Sequence, residues 1–335
     1  MKRKEVYLIN ILIAAILLVF TYFIIFGNTS YKEIMDIVRN VDKKYILFAI
    51  FIMVLYFIIE AINLKCLVKS LNQEISLKNA LKARMIGFFF SSITPAATGG
   101  EPMQVYSMKK DGVSFTNATI ASLINICSFQ IVIISLAIIS LIHRFSMMPK
   151  EVLILFSIGT FLNASVLTIM LIFIFNKKLA NTLVNIIIKL LTKLKLKNKD
   201  KLEERINKAL EKYSKQTEYI KKHKKEFIFS TLRIFMQMSL YYLVPYIIYR
   251  SFGMSGKSML LFFELQAILF TSVSSIPLPG SIGISESAFL ILYKEMYSPE
   301  YLRASLLLTR GINFYLFVII SLIITIITIF KWKKD

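Results

Sequence analysis

Two segments of the sequence run from proline through glycine to a glutamate that opens a helical run. The first is TPAATGGEP at residues 94–102, and the second is PLPGSIGISE at residues 277–286. Glycine allows tight turns and a close approach of the backbone to another group. The helix start after each turn presents free N–H groups and a partial positive charge. Both segments are therefore suited to binding an anion, such as the phosphate of a lipid.

The glutamates of these segments, Glu101 and Glu286, also fit an ordinary structural role. An acidic residue in the first turn of a helix is common capping chemistry. The pattern nevertheless occurs twice, which favours a shared function over two unrelated helix caps.

Charged residues within apolar stretches are the second group of candidates, because they are costly in a membrane and usually have a function and a partner. Arginine binds phosphate with a two-pronged geometry that lysine does not reproduce. Alternatively, glutamates in these stretches neutralise the arginines as structural ion pairs. These glutamates are Glu60, Glu101, Glu264 and Glu286. The predicted headgroup site combines arginines with both turns and consists of Arg84, Thr94, Pro95, Gly99, Gly100, Glu101, Arg233, Pro279, Gly280, Gly283, Glu286 and Arg310.

Other kinds of chemistry find little support in the sequence. The two cysteines and two histidines form no CxxC or HExxH motif, so we expect neither a metal site nor a disulfide. No histidine lies near the serines of the two turns, and His143 is predicted to lie in a loop. Because no nucleotide-binding loop occurs, we expect no ATP hydrolysis and no cofactor.

The composition places these residues in a membrane. Of the 335 residues, 56% are hydrophobic and 18% are charged, and the mean hydropathy is +0.64. Runs of roughly 18 or more mostly apolar residues indicate spanning helices. We predict one integral membrane domain over residues 1–335. Its six spans lie at residues 6–26, 45–64, 117–142, 152–176, 227–249 and 311–330.

Residues 80–107 and 258–293 are apolar but broken by proline and glycine, and each half is too short to span. Irregular backbone is tolerated at membrane depth only within protein or beside a water-filled cavity. We therefore predict two re-entrant helical hairpins. With six alternating spans the hairpins enter from opposite faces, which indicates an inverted-repeat arrangement with a site near the midplane. The predicted fold class is an all-α polytopic membrane protein.

The positive charge predicts the orientation. The net charge is +21, and residues 177–226 carry 16 Lys/Arg against 6 Asp/Glu. Basic residues concentrate on the cytoplasmic side of membrane proteins. We therefore predict that residues 177–226 form a cytoplasmic loop with amphipathic helices and that both termini are cytoplasmic, in the plasma membrane. Residues 31–44 are predicted to form an interfacial helix. We expect no nucleic-acid partner, because no aromatic interleaving or recognition fold accompanies the lysines.

Two longer segments resemble the flippase-like membrane domain of lysylphosphatidylglycerol synthases. They are GFFFSSITPAATGGEPMQVYSMKKDGVS at residues 87–114 and SSIPLPGSIGISESAFL at residues 274–290. The resemblance covers essentially the whole chain, although the family typically has a basic residue where this chain has Ser285. It implies translocation of a membrane phospholipid or a polyprenyl-phosphate lipid between leaflets.

In full-length synthases of this family, a soluble domain after the membrane domain transfers lysine from aminoacyl-tRNA to phosphatidylglycerol. The last predicted span ends shortly before Asp335, so we expect the lipid-translocating half without lysyltransferase activity. The alternatives are a membrane enzyme, an accessory subunit that serves a lipid-modifying partner enzyme, and a small-ion transporter that uses Glu101 and Glu286.

Overall fold

The computed structural model describes residues 31–175, 182 and 224–332. Within these ranges the chain forms helices joined by turns, and no strand. The helices are α1 (Tyr31–Arg39), α2 (Lys43–Ser70), α3 (Leu77–Ile93), α4 (Gly100–Lys110), α5 (Phe115–Arg144), α6 (Lys150–Phe175), α7 (Lys224–Ser251), α8 (Met259–Val273), α9 (Ile284–Leu292), α10 (Pro299–Arg310) and α11 (Leu316–Trp332).

Five helical stretches in the described ranges are long and apolar enough to cross a membrane. Four of them, α2, α5, α6 and α7, coincide with predicted spans. The all-α polytopic membrane fold is therefore confirmed. The predicted span at 6–26 and the predicted loop at 177–226, apart from Thr182 and residues 224–226, lie outside the described residues. The helix predicted at 31–44 is present as α1 but ends at Arg39, because Lys43 and Lys44 already belong to α2. Its interfacial position stays a prediction.

The fifth stretch is longer than predicted. The helix begins at Pro299 and not near residue 311, and it runs through α10, a π-helical segment (Gly311–Tyr315) and α11. Pro299 is the first helical residue, where its fixed φ is suitable and its missing N–H is not needed. Arg310 therefore lies inside a continuous helix and not at the start of one.

The α2 and α7 helices run antiparallel and pack along their length. At one end the Asp42 N–H donates to the Ser251 carbonyl at 2.9 Å. Toward the other end, Asn63 Nδ2 donates to Ser230 Oγ at 3.1 Å. The α5 helix begins beside the C-terminus of α2, where Asn117 Nδ2 donates to the Leu71 carbonyl at 3.2 Å. We name the two ends of this bundle the Ser70 end and the Arg144 end, after the last residues of α2 and α5.

Two helical hairpins enter the bundle from opposite ends. The first hairpin (α3, the turn Pro95–Ala97 and α4) starts and finishes at the Ser70 end, where the Ser114 N–H after α4 donates to Gln73 Oε1 before α3 at 2.9 Å. The second hairpin (α8, the turn Pro279–Ser281 and α9) starts at the Arg144 end, where Glu264 pairs with Arg144. The hairpins thus have the opposed directions expected from the sequence. Their depth in a bilayer stays a prediction.

A close helix crossing supports the second hairpin. A Cβ added to Gly159 of α6 would lie 2.3 Å from the Ser272 carbonyl oxygen of α8, so the crossing requires glycine. One turn further along α6, Asn163 Nδ2 donates to the Thr271 carbonyl at 3.1 Å, and Ser275 donates to Asn163 Oδ1 at 2.7 Å. Asn163 thereby supplies partners where α8 stops inside the bundle.

The base of the second hairpin is tied to α5 by a buried carboxylate. Glu264 is 5% exposed. Its Oε1 lies 2.5 Å from His143 Nδ1, and its Oε2 pairs with Arg144 Nε. His143 therefore lies in the last turn of α5, and the prediction of a loop position is wrong. The last two residues of the helix, beyond its apolar run, both bind Glu264.

Gly159→Ala is expected to lower the free energy of unfolding by about 1–3 kcal/mol, because the added methyl group pushes α6 away from the α8 backbone. Gly311→Ala is the matched control, since a Cβ at this helical glycine would meet no heavy atom within 4 Å. Thermal unfolding in detergent measures both variants. Equal unfolding temperatures would contradict the close crossing.

Glu264→Gln is expected to cost about 1–3 kcal/mol, because Arg144 loses its charged partner at a partly buried position. Glu151→Gln, an exposed acid at the same end, is the control. Chemical or thermal unfolding at fixed ionic strength compares the two variants. A loss no larger than that of the control would show that the pair does not stabilise the fold.

Candidate functional site

The turns of the two hairpins contact each other. The turn Pro279–Ser281 contacts both the turn Pro95–Ala97 and α3. A Cβ added to Gly280 would lie 3.2 Å from the Ser92 carbonyl oxygen and 2.5 Å from Phe314 Cζ, and Gly280 has a φ of +58°. Both the backbone conformation and the lack of space require glycine here. The two segments singled out in the sequence therefore lie side by side in the structure and form one candidate site.

The first turn is strained and open. Ala96 and Ala97 have φ values of +48° and +55°, in a region that residues with a Cβ rarely adopt. Thr94 holds the turn, because its hydroxyl accepts a hydrogen bond from the Gly99 N–H at 2.9 Å. Residues 95–98 are exposed. Strained backbone of this kind often occurs at ligand sites.

Beside the second turn lies a buried ion pair. Glu286 is fully buried, and Arg310 Nε donates to its Oε1 at 2.7 Å. Tyr315 donates to the same oxygen at 3.1 Å, and the Gly283 N–H donates to Oε2 at 2.7 Å. Arg310 Nη2 also donates to the Gly280 carbonyl at 3.3 Å. The arginine thus connects the turn to the helix that carries Glu286.

The π-helical segment places aromatic rings around Arg310. The guanidinium carbon lies 4.4 Å from the Phe314 ring centroid and 5.6 Å from that of Tyr315. Rings at these distances attract a cation. Asn313 in the same segment is 2% exposed, and neither of its amide atoms has a partner in the described structure. π-Helical segments occur frequently at functional sites, and this one carries both the arginine and an unsatisfied amide.

A second charged group lies along the first hairpin. Arg84 Nε lies 2.5 Å from Glu60 Oε1, and Arg84 Nη1 donates to Gln104 Oε1 at 3.3 Å. Gln104 Nε2 in turn donates to Glu101 Oε2 at 3.4 Å. Glu60, Arg84, Gln104 and Glu101 therefore form one cluster, which we name the first-hairpin cluster.

Aromatic and amide side chains join the two charged groups. Gln237 of α7 interacts with both Glu60 and Tyr56. The rings of Tyr56 and Tyr241 lie 5.8 Å apart, and Tyr241 interacts with Arg310. The first-hairpin cluster and the Glu286–Arg310 pair thus belong to one largely buried polar network.

The two glutamates of the turns differ in their local role. Glu286 both caps α9, through the Gly283 N–H, and pairs with Arg310. Glu101 contacts Gln104. The structural ion pairs foreseen as an alternative are present for Glu60 and Glu286, whereas Glu264 pairs with Arg144.

Most of the predicted site residues lie at the turns or in the two charged groups. They are Arg84, Thr94, Pro95, Gly99, Gly100, Glu101, Pro279, Gly280, Gly283, Glu286 and Arg310. Arg233 is the exception, because it donates to Asn63 Oδ1 at 3.3 Å and lies 6.0 Å from the Phe229 ring. Binding of a ligand by these residues stays a prediction.

Several polar residues of the network were not predicted. Gln104 follows Glu101 by three residues, and Gln237 follows Arg233 by four, so helical spacing was an available signal. Tyr241 and Tyr315 had no such signal, because a tyrosine in an apolar run resembles any packed aromatic residue. Within the described residues, no group of three or more His, Cys, Asp or Glu could hold a metal ion.

Comparison with known proteins agrees with this architecture. The family described as lysylphosphatidylglycerol synthase TM region matches residues 7–321. A UPF0104 membrane protein of Archaeoglobus fulgidus is 29% identical over 90 residues, and the aligned part covers 27% of this chain and 27% of that protein. Because the family match extends over nearly the whole chain, this protein belongs to the family of the lysylphosphatidylglycerol synthase transmembrane region.

Proposed function

We propose that this chain moves a lipid with a phosphate headgroup, an anionic phospholipid or a polyprenyl-phosphate lipid, between the two leaflets. The observation that supports this function best is the meeting of two hairpin turns, which enter from opposite ends, beside the buried Arg310. A headgroup held between the turns is reachable from either end. The acyl chains remain in the bilayer while only the polar headgroup crosses.

Arg310 is the proposed phosphate ligand. Its Nε already donates to a carboxylate, and the two-pronged donor geometry of a guanidinium fits a phosphate. The start of α9 adds backbone N–H groups beside it, which favour an anion. A phosphate would therefore replace Glu286 as the partner of Arg310. Arg84, on the first hairpin, offers a second cation on the way to the Ser70 end.

The distribution of basic residues supports an orientation. We propose that the Ser70 end faces the cytoplasm, because lysines are more numerous there than at the Arg144 end and cytoplasmic segments are rich in them. These lysines are Lys65, Lys69, Lys78, Lys82, Lys109, Lys110 and Lys331. Together with the predicted span at residues 6–26, this orientation puts both termini in the cytoplasm. We propose the plasma membrane as the location of the protein.

A second function has one observation in its favour. The family is described as a region of a synthase, so the same site could present a lipid to a partner enzyme that modifies it. In that case the purified chain alone would bind a lipid without moving it.

Lipid movement is tested in liposomes that contain only this protein, with phosphatidylglycerol and phosphatidylethanolamine carrying a fluorescent acyl chain. Dithionite added outside destroys the outer-leaflet fluorophore and reports how fast probe exchanges between leaflets. Arg310→Ala is expected to slow the exchange of phosphatidylglycerol at least about tenfold, because a charge-assisted contact with the phosphate is lost. Arg310→Lys is expected to recover only part of the rate.

Glu264→Gln is the control, since it removes a buried carboxylate from another arginine pair away from the two turns. It is expected to keep the wild-type exchange rate under conditions where it is folded. If wild type exchanges neither probe, the translocation proposal fails. If Arg310→Ala and Glu264→Gln exchange lipid equally well, the proposed phosphate site is wrong.

A further inference from the structure

The polar network around the two turns, in which Glu60 and Glu286 are buried and Glu101 is half-buried, carries more acid than base. Among the described residues it holds three carboxylates, those of Glu60, Glu101 and Glu286, against the guanidinium groups of Arg84 and Arg310. Uncompensated charge in a protein interior is costly. With every group ionised, the three carboxylates exceed the two guanidinium groups by one negative charge. The excess lies in the first-hairpin cluster, where Glu60 and Glu101 share Arg84.

Other charged groups do not cancel this excess. Arg233 is half-buried and lies one turn before Gln237 on α7, where it contacts Asn63 and the Phe229 ring. Lys82 on α3 pairs with Asp111 at 2.5 Å. The α5 helix faces the cluster with the uncharged Ser122, to which Gln104 donates at 3.3 Å. The Tyr56 and Tyr241 side chains approach from α2 and α7.

Within the cluster, one carboxylate oxygen is free to take a ligand. Arg84 approaches Glu60 at Oε1, whereas Oε2 is buried and has no hydrogen-bond partner in the described structure. The Gln237 side chain is 1% exposed and interacts with Glu60, but its Nε2 makes no hydrogen bond of normal geometry. Buried polar atoms are normally paired. No well-formed hydrogen bond satisfies Glu60 Oε2, so this oxygen keeps a lone pair that accepts a proton.

The chemistry of the cluster selects a proton over a metal ion. A metal ion on Glu60 would lie beside the Arg84 guanidinium, which is 2.5 Å from the same carboxylate, and like charges repel strongly in a buried site. A proton needs one oxygen lone pair and no further ligands. The proton also makes Glu60 neutral. A buried carboxylate that lacks a positive partner of its own usually takes up a proton in this way.

We propose that Glu60 binds a proton and that this proton travels with the phosphate of the transported lipid. This inference rests on the proposed function. A proton from hydronium in bulk water bonds to Glu60 Oε2 and leaves water behind, and the same O–H bond breaks when the proton is released on the other side. A phosphodiester adds one negative charge at Arg310, and Gln237, Tyr56 and Tyr241 connect that position to Glu60.

Proton coupling predicts how the lipid is distributed between the two leaflets under a pH gradient. One proton and one monoanionic phosphodiester together carry no net charge, so transport is insensitive to membrane potential. At steady state, a gradient of one pH unit is expected to concentrate the lipid about tenfold in the leaflet on the alkaline side, because one pH unit is a tenfold ratio in proton activity. Exchange without coupling leaves the two leaflets evenly filled.

The test uses liposomes containing this protein, fluorescent phosphatidylglycerol and a trapped pH-indicator dye. A gradient of about one pH unit is imposed, with potassium and valinomycin holding the membrane potential at zero. Wild type is expected to accumulate probe on the alkaline side and to carry protons with it. Glu60→Gln is expected to lose both effects, and Glu101→Gln, which lowers the excess charge, to weaken them. Glu264→Gln is the control and is expected to retain both.

The possible results separate this proposal from the proposed function. Exchange of phosphatidylglycerol with an even distribution under the gradient overturns proton coupling and leaves lipid translocation intact. Accumulation that persists in Glu60→Gln assigns the proton to another group and overturns the role of Glu60. If neither lipid nor protons move in wild type, both proposals fail. If Glu60→Gln does not fold, the distribution of phosphatidylglycerol between the leaflets in wild type and Glu101→Gln still shows whether transport is coupled to protons.

Discussion

Where a helix ends inside an apolar bundle, its terminal N–H and C=O groups need hydrogen-bond partners. This requirement shapes both hairpins. At the end of α8, Asn163 donates to the Thr271 carbonyl and Ser281 donates to the Val273 carbonyl at 2.8 Å. At the start of α9, Glu286 accepts from the Gly283 N–H. Partners of this kind come from neighbouring helices and from the turns themselves. A broken helix is therefore stable only where several elements meet, which is where the two turns lie.

The same requirement joins local structure to charge. Glu286 satisfies a backbone N–H with one oxygen and a guanidinium with the other. Arg310 in turn binds the Gly280 carbonyl of the preceding turn. Backbone conformation and ionic interaction thus depend on the same two side chains. Any anion that competes for Arg310 acts directly on the conformation of the second turn.

Sequence reasoning succeeded where a local cause determines the structure. Proline and glycine break an apolar run regardless of its neighbours, so both hairpins were predictable. Pairing was not, because Arg310 meets Glu286, and Arg84 meets Glu60, only after helices distant in sequence have packed. The start of the last helix was missed because residues 299–310 are amphipathic and form no apolar run. The π-helical segment depends on one surplus residue, which leaves no compositional signal.

The π-helical segment at Gly311–Tyr315 fixes the rotational register between the two halves of the last helix. An α-helix turns by about 100° for each residue. Removing one residue from this segment would restore regular geometry and rotate everything before it by that angle relative to α11. The guanidinium of Arg310 would then face another side of the bundle, away from Glu286. The one extra residue of this segment thus determines the side of the bundle that the Arg310 guanidinium faces.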